Sequence, residues 1–248
     1  MSESFRALCS DFYVNHKLSV KMELPRGRET VLELFERMRR QYPTMSLFRR
    51  YREEFALESD AGDGTHRWLA VRSNNIRSGV VNPPSLAEGY GLHKHVLEVA
   101  PYFMNISPLD VDYVELLFGF DLQAGGNQDA IVAEAIYGGS PLAALTEYGG
   151  GTVVDCQPLL GVSVGNRGEL EIQYEIKTRG SNQPGKENDG TEPISVYLTL
   201  RRFGSPKDLG ELATVFTDLA MHGEDLAQNQ VVPHLIMPLR EAIASGNS

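Results

Sequence analysis

Residues 12–24 read FYVNHKLSVKMEL. In an extended chain Val14, His16, Leu18, Val20, Met22 and Leu24 fall on one side, and Asn15, Lys17, Ser19, Lys21 and Glu23 on the other. A period of two with apolar residues on one face marks a strand that buries one side and wets the other. A second stretch, VDYVELLFGFDL at 111–122, repeats the pattern with Val114, Leu116, Phe118 and Phe120 on one face.

The chain continues in a similar way after each stretch. Beyond Pro25-Arg26-Gly27, the residues Val31, Leu34, Phe35, Met38 and Tyr42 recur at helical spacing as far as Pro43. Two β-like runs, 47–58 and 66–73, then flank the turn-rich SDAGDGT; residues 74–84 either extend the second run or fold back. After 122, DAIVAEAIYGG and PLAALTEY read as helices, and strands come next at about 152–164, 169–178 and 193–203. Helix is expected from about 207, interrupted near Gly223 and again by Pro233 and Pro238.

The element order β-α-β-β-α thus precedes β-α-β-β-β-α. It predicts an α+β fold in which tandem strand-helix-strand-strand-helix halves, 12–105 and 110–244, form one largely antiparallel curved sheet with helices packed on one face. The repetition is of element order and not of residues. Such a sheet with helices across it makes a groove. The polar segment RGSNQPGKENDGTE, 179–192, is expected to be a mobile loop.

Composition narrows the functional classes. A net charge of -10 opposes nonspecific attraction to nucleic acid or anionic lipid, which requires cations to displace phosphate counterions. The charge is uneven: residues 1–80 hold 14 Lys and Arg against 11 Asp and Glu, and the remainder holds 9 against 22. The two parts are able to attract each other within the chain or between copies. Two cysteines, Cys9 and Cys156, sit in no metal or redox spacing, which fits a reducing compartment. With no basic start and apolar run in MSESFRALCSDFYVN, a cytoplasmic location is expected.

SLAEGYGLHKH, 85–95, holds the densest cluster of glycine and histidine. Ser85 and Glu88 have the S-x-x-E spacing of a capping box, so a helix starts here, and Leu86, Tyr90, His93, Leu97 and Ala100 form its apolar stripe. His95 lies about 200° around the helix from His93, so the two rings cannot chelate one metal. Position 94 is Lys94 where a dinucleotide loop needs glycine. Gly89 and Gly91 each cost a helix about 1 kcal/mol. The expected reason is a neighbour packed too close for a Cβ; the alternative is space for a ligand beside Tyr90 and His93.

Other motifs have structural explanations. GVSVG, 161–165, matches the hydrolase elbow G-x-S-x-G, but the next residues, NRGELEIQYEI, are a turn and a strand where the elbow needs a helix. Arg37, Arg39, Arg40, Arg49, Arg50 and Arg52 form a basic patch, with Glu33, Glu36, Glu53 and Glu54 among them as internal partners. Trp68, Ala70 and Arg72 share one strand face, where an aromatic and an arginine side by side suit a carboxylate ligand.

The leading expectation is a non-enzymatic binding or interaction module, without cofactor or metal, with Trp68, Arg72, Tyr90 and His93 as binding residues. Its expected partner is another protein or a second copy of itself, or else a small molecule; nucleic acid and membrane are not expected. The alternative is a cofactor-independent enzyme around His93, Tyr90 and Arg72, with the histidine as acid or base, which requires His93 to face a cavity. A third reading is nucleic-acid binding through the arginines at 37–52.

Overall fold

The two alternating stretches become strands β1 (Asp11–Val20) and β6 (Val111–Leu122), and they lie side by side, antiparallel, inside one nine-stranded sheet. This computed structural model describes residues 5–246 apart from 26, 61, 63, 147, 166–168 and 179–191. The other strands are β2 (Met45–Arg50), β3 (Phe55–Ser59), β4 (His66–Val71), β5 (Asn75–Val81), β7 (Leu159–Val164), β8 (Leu170–Lys177) and β9 (Ile194–Phe203). Their order is β2-β3-β4-β5-β1-β6-β9-β8-β7, with every pairing antiparallel. From the β1–β6 seam one half of the chain extends to β2 and the other to β7. The fold is α+β, with a curved open sheet, as the element order predicts.

Helices α1 (Arg28–Gln41), α2 (Leu86–Phe103), α3 (Gln128–Tyr137), α4 (Glu211–Leu226) and α5 (Met237–Gly246) cover one face. α2 lies over β5 and β1, α4 over β6 and β9, α1 packs on α2, and α3 on α5. The even-numbered residues of the alternation, Phe12, Val14, His16 and Leu18, meet Val114, Leu116, Phe118 and Phe120 there, all essentially inaccessible. Among the described residues no helix is long and apolar enough to cross a membrane.

Several boundaries depart from those the sequence predicts. The run 47–58 is a hairpin, closed by the Tyr51 N–H on the Glu54 carbonyl at 2.9 Å, because the charged Arg52-Glu53 pair makes the turn without glycine or proline. Residues 75–81 fold back as β5, with the Arg72 N–H on the Asn75 carbonyl at 2.9 Å. β1 ends at Val20, leaving Met22 65% exposed and off the buried face. Strand at 152–164 is confined to 159–164, and helix in PLAALTEY to Ala143–Thr146. Pro233 lies inside a π-helical stretch, Ala227–Ile236, that joins α4 to α5. The expected mobile loop, but for Glu192, lies outside the described residues, as do turn residues 166–168.

Three helical glycines behave differently from the expectation. Gly223 does not interrupt α4; a Cβ there would stand 2.4 Å from the Phe118 ring, so the glycine lets the helix approach β6. At Gly89 and Gly91 a Cβ would meet Pro83 at 3.4 Å and the Tyr42 hydroxyl at 3.5 Å, ordinary contacts that leave room for a methyl group. The close packing expected at 89 and 91 is therefore found at 223. Gly91→Ala is expected to stabilise the fold by about 0.5–1 kcal/mol through helix propensity. Gly223→Ala is expected to destabilise it by about 1–3 kcal/mol through overpacking. Urea midpoints of the two variants should move in opposite directions.

Candidate binding site on the open sheet face

The face that carries no helix is laid out by strand register, because residues directly opposite on neighbouring strands share a face. One row runs Asp11, Asp121, Ser195, Lys177 across β1, β6, β9 and β8. The next runs Val81, Tyr13, Gly119, Tyr197, Glu175 from β5 to β8. A third runs Trp68, Gly79, Asn15, Leu117, Thr199, Gln173 from β4 to β8. These rows line a shallow cavity of about 460 Å³.

Glycine shapes the floor. A Cβ at Gly119 would stand 2.1 Å from the Tyr13 ring, and one at Gly79 would stand 2.2 Å from the Trp68 indole nitrogen. Both rings therefore lie down over a neighbouring strand where any other residue would lift them off. Asn15 Oδ1 is buried beside the indole and has no hydrogen-bond partner within the described residues. Tyr197 meets Tyr13 edge to face with ring centres 6.3 Å apart.

The electrostatics divide the face in two. Lower down, cations and anions alternate across the strands: Arg201 pairs with Glu115 at 2.5 Å and Glu171 at 2.8 Å, and Arg72 and Arg77 both bind Glu54. Burial alone would raise the Glu54 pKa, but the two guanidinium groups overcome it and hold the carboxyl below the usual glutamate range. At the cavity Asp11 and Asp121 stand directly opposite each other, and neither forms an ion pair among the described residues. Like charges in that position destabilise a sheet. Asp121 Oδ1 accepts from Ser195 Oγ at 2.7 Å and from Tyr13 Oη at 3.2 Å. Burial, then the bonds to Tyr197 and Asp121, keep the Tyr13 phenol protonated far above its ordinary range. Lys177 is bound by Glu175 at 3.0 Å.

The four residues expected to bind a ligand are split between the two faces. Trp68 lies in the cavity floor. Arg72 is on the same face but already holds Glu54 at 2.7 Å, so its carboxylate partner is internal, and the arginine over the indole is Arg77, 5.8 Å from the ring centre. Tyr90 and His93 lie on the helix-covered face, 8% and 0% exposed. His93 Nε2 lies 3.1 Å from the Val14 carbonyl, which can only accept, so that nitrogen carries the proton. Nδ1 then accepts from Ser78 Oγ at 2.8 Å. The His16 and Phe216 rings close the surroundings, with centres 5.8 and 5.7 Å away. Burial pushes the His93 pKa down to about 3. His93 lines none of the cavities described among these residues, and acid–base chemistry there requires one.

Ser163 lies in β7, and the next element among the described residues is the strand β8, where a nucleophile elbow needs a helix. Arg37, Arg39 and Arg40 lie on α1 and Arg49 and Arg50 on the edge strand β2, and Arg39 pairs with Glu36 at 2.7 Å. Sequence reasoning missed Asp11, Tyr13, Asn15, Asp121 and Tyr197. The available signal was Gly79 and Gly119 inside strand patterns, since glycine in a strand marks close approach by another group. No family model matches the chain, and no curated relative matches it.

Proposed function

We propose that the protein is a non-enzymatic binding module of the cytoplasm, and that its open sheet face captures a cationic group, namely an arginine or lysine side chain of a protein partner. The observation that carries the reading is the opposed pair Asp11 and Asp121, without an ion-pair partner among the described residues, beside a floor of Tyr13, Trp68 and Tyr197. A guanidinium or ammonium placed there relieves the carboxylate repulsion and lies against the Tyr13 ring, a contact of about 0.5–2 kcal/mol, while the Trp68 and Tyr197 rings already carry Arg77 and Lys177 at 5.8 Å. The unpaired Asn15 Oδ1 supplies a further acceptor. The cytoplasmic assignment is supported by two free cysteines, Cys9 and Cys156.

Calorimetric titration with a short arginine-rich peptide tests this. Binding should be saturable and should weaken with added salt. Asp121→Asn keeps the acceptor for Tyr13 and Ser195 but removes the charge, and should weaken affinity roughly tenfold, equivalent to about 1.4 kcal/mol. Equal affinity of wild type and Asp121→Asn, or preference for a glutamate-rich peptide, would overturn the proposal.

A further inference from the structure

The two edges of the sheet are built differently. β2 at one edge ends in Arg49 and Arg50, both exposed, and like charges of this kind keep an edge from pairing with a copy of itself. β7 at the other edge reads LLGVSV and contains no charge. Its Leu159, Leu160, Val162 and Val164 are 62%, 61%, 40% and 43% exposed. On the helix side this strand adjoins an apolar trough of about 470 Å³ bordered by Ile136, Tyr174 and Leu235.

The pairing of β7 determines which of its backbone groups are free. The Ile176 N–H bonds the Pro158 carbonyl at 2.9 Å, and this step lies in register with the β7–β8 ladder, in which Leu160 faces Tyr174, Val162 faces Ile172 and Val164 faces Leu170. Bonded and non-bonded pairs alternate in an antiparallel ladder, so 160, 162 and 164 bond toward β8. The N–H and C=O groups of Leu159, Gly161 and Ser163 therefore point away from the sheet.

We propose that β7 pairs antiparallel with β7 of a second copy of this chain, with Val162 on the two-fold axis. In that register the outward groups of Gly161 and Ser163 bond to each other across the seam, Val162 faces its own copy, and Leu160 faces Val164. Every exposed apolar side chain on the helix side then meets another apolar side chain. Register selects this occupant: β7 is self-complementary about Val162, apolar against apolar, and in two copies of net charge -10 it is a seam where no like charges meet. Six residues a side make a small interface, so dissociation on the order of 10 µM is expected. The axis runs perpendicular to the sheet, so both open faces point the same way, with their cavities about 40 Å apart at ~4.8 Å per strand. That last consequence, and only it, rests on the cationic-site reading.

Sedimentation of the full chain from about 1 to 200 µM, a range bracketing the expected constant, should show a reversible monomer–dimer equilibrium. Val162→Lys should leave only monomer, with circular dichroism and urea midpoint showing that the variant is folded. A non-hydrogen-bonded antiparallel pair brings Cα atoms to about 4.5 Å, within disulfide range. With Cys9 and Cys156 changed to serine, Val162→Cys should therefore cross-link on mild oxidation, and Leu160→Cys should not. A monomer at all concentrations, a dimer indifferent to Val162→Lys, an open polymer, or cross-linking through Leu160→Cys instead would each overturn the proposal. None of these readouts involves the cation site, so the two readings fail separately.

Discussion

Between pH 7 and pH 4.5 the protein is expected to lose about 2.5 kcal/mol of folding free energy through the buried His93, and the equally buried His16 lowers stability in the same direction. Burial holds His16 well below its ordinary value of 6.5, with the nearby His93 adding to the effect, and burial places His93 near 3. His93 is fully hydrogen-bonded as the neutral ring, and His16 Nδ1 lies 3.4 Å from Ser78 Oγ, with Nε2 unpartnered among the described residues. The rings face Val14, Ser78 and Phe216 and each other, and no carboxylate bonds either of them among those residues. The unfolded chain binds both protons near pH 6.5 and the folded chain does not. Stability is thus fully present above 6.5 and is lost as pH falls toward the folded values, at about 1.4 kcal/mol per pH unit for His93, with His16 acting in the same direction. Against a typical total of about 5–15 kcal/mol this is a sizeable share of the stability. Urea midpoints at pH 7 and pH 5 check it. His16→Leu should be nearly neutral at pH 7, since it removes an unpartnered nitrogen from the core, and should reduce the slope. An unchanged slope in that variant would remove His16 from the account.

Phe216→Ala should cost about 3–5 kcal/mol at pH 7, the range for deleting a fully buried aromatic. Phe216 is 0% exposed on α4, and its ring lies 5.7 Å from the ring centres of His16, Tyr90 and His93. It thereby joins α4 to β1 and α2, elements of the first half of the chain. A cost below about 1 kcal/mol would mean that α4 is held elsewhere, since cavities of this size are rarely so cheap. Phe216→Leu should recover part of the loss, because it refills volume without restoring the ring contacts.

The fold was legible where periodicity was long and unbroken. β1 and β6 alternate over ten and twelve residues, and that pattern located the two strands that meet inside the sheet. Shorter strands were merged or left open because their turns are polar and not glycine-rich: Arg52-Glu53 between β2 and β3, and Asn74 before β5. Gly223 looked like a break because sequence shows the missing side chain but not the Phe118 ring that occupies its space.

The site was scarcely legible, for a different reason. Asp11 and Asp121 face each other only because β1 and β6 pair in one register, and a slip of either strand by one residue would send its aspartate to the core face. His93 drew attention as a polar residue on an apolar helix stripe. The structure gives it Val14 and Ser78 as partners, which is how a core histidine is satisfied. Trp68, singled out by sharing a strand face with Arg72, is the one expected binding residue that lines the cavity.

The fluorescence of Trp68 gives the most direct test, because it is the sole tryptophan and lies in the floor of the proposed cation site. Titrating the protein with an arginine-rich peptide should change its emission along a saturable curve, and Asp121→Asn should shift that curve to higher concentration. Emission that stays constant while calorimetry reports binding of the same peptide would place the cation elsewhere and contradict the assignment of the open face.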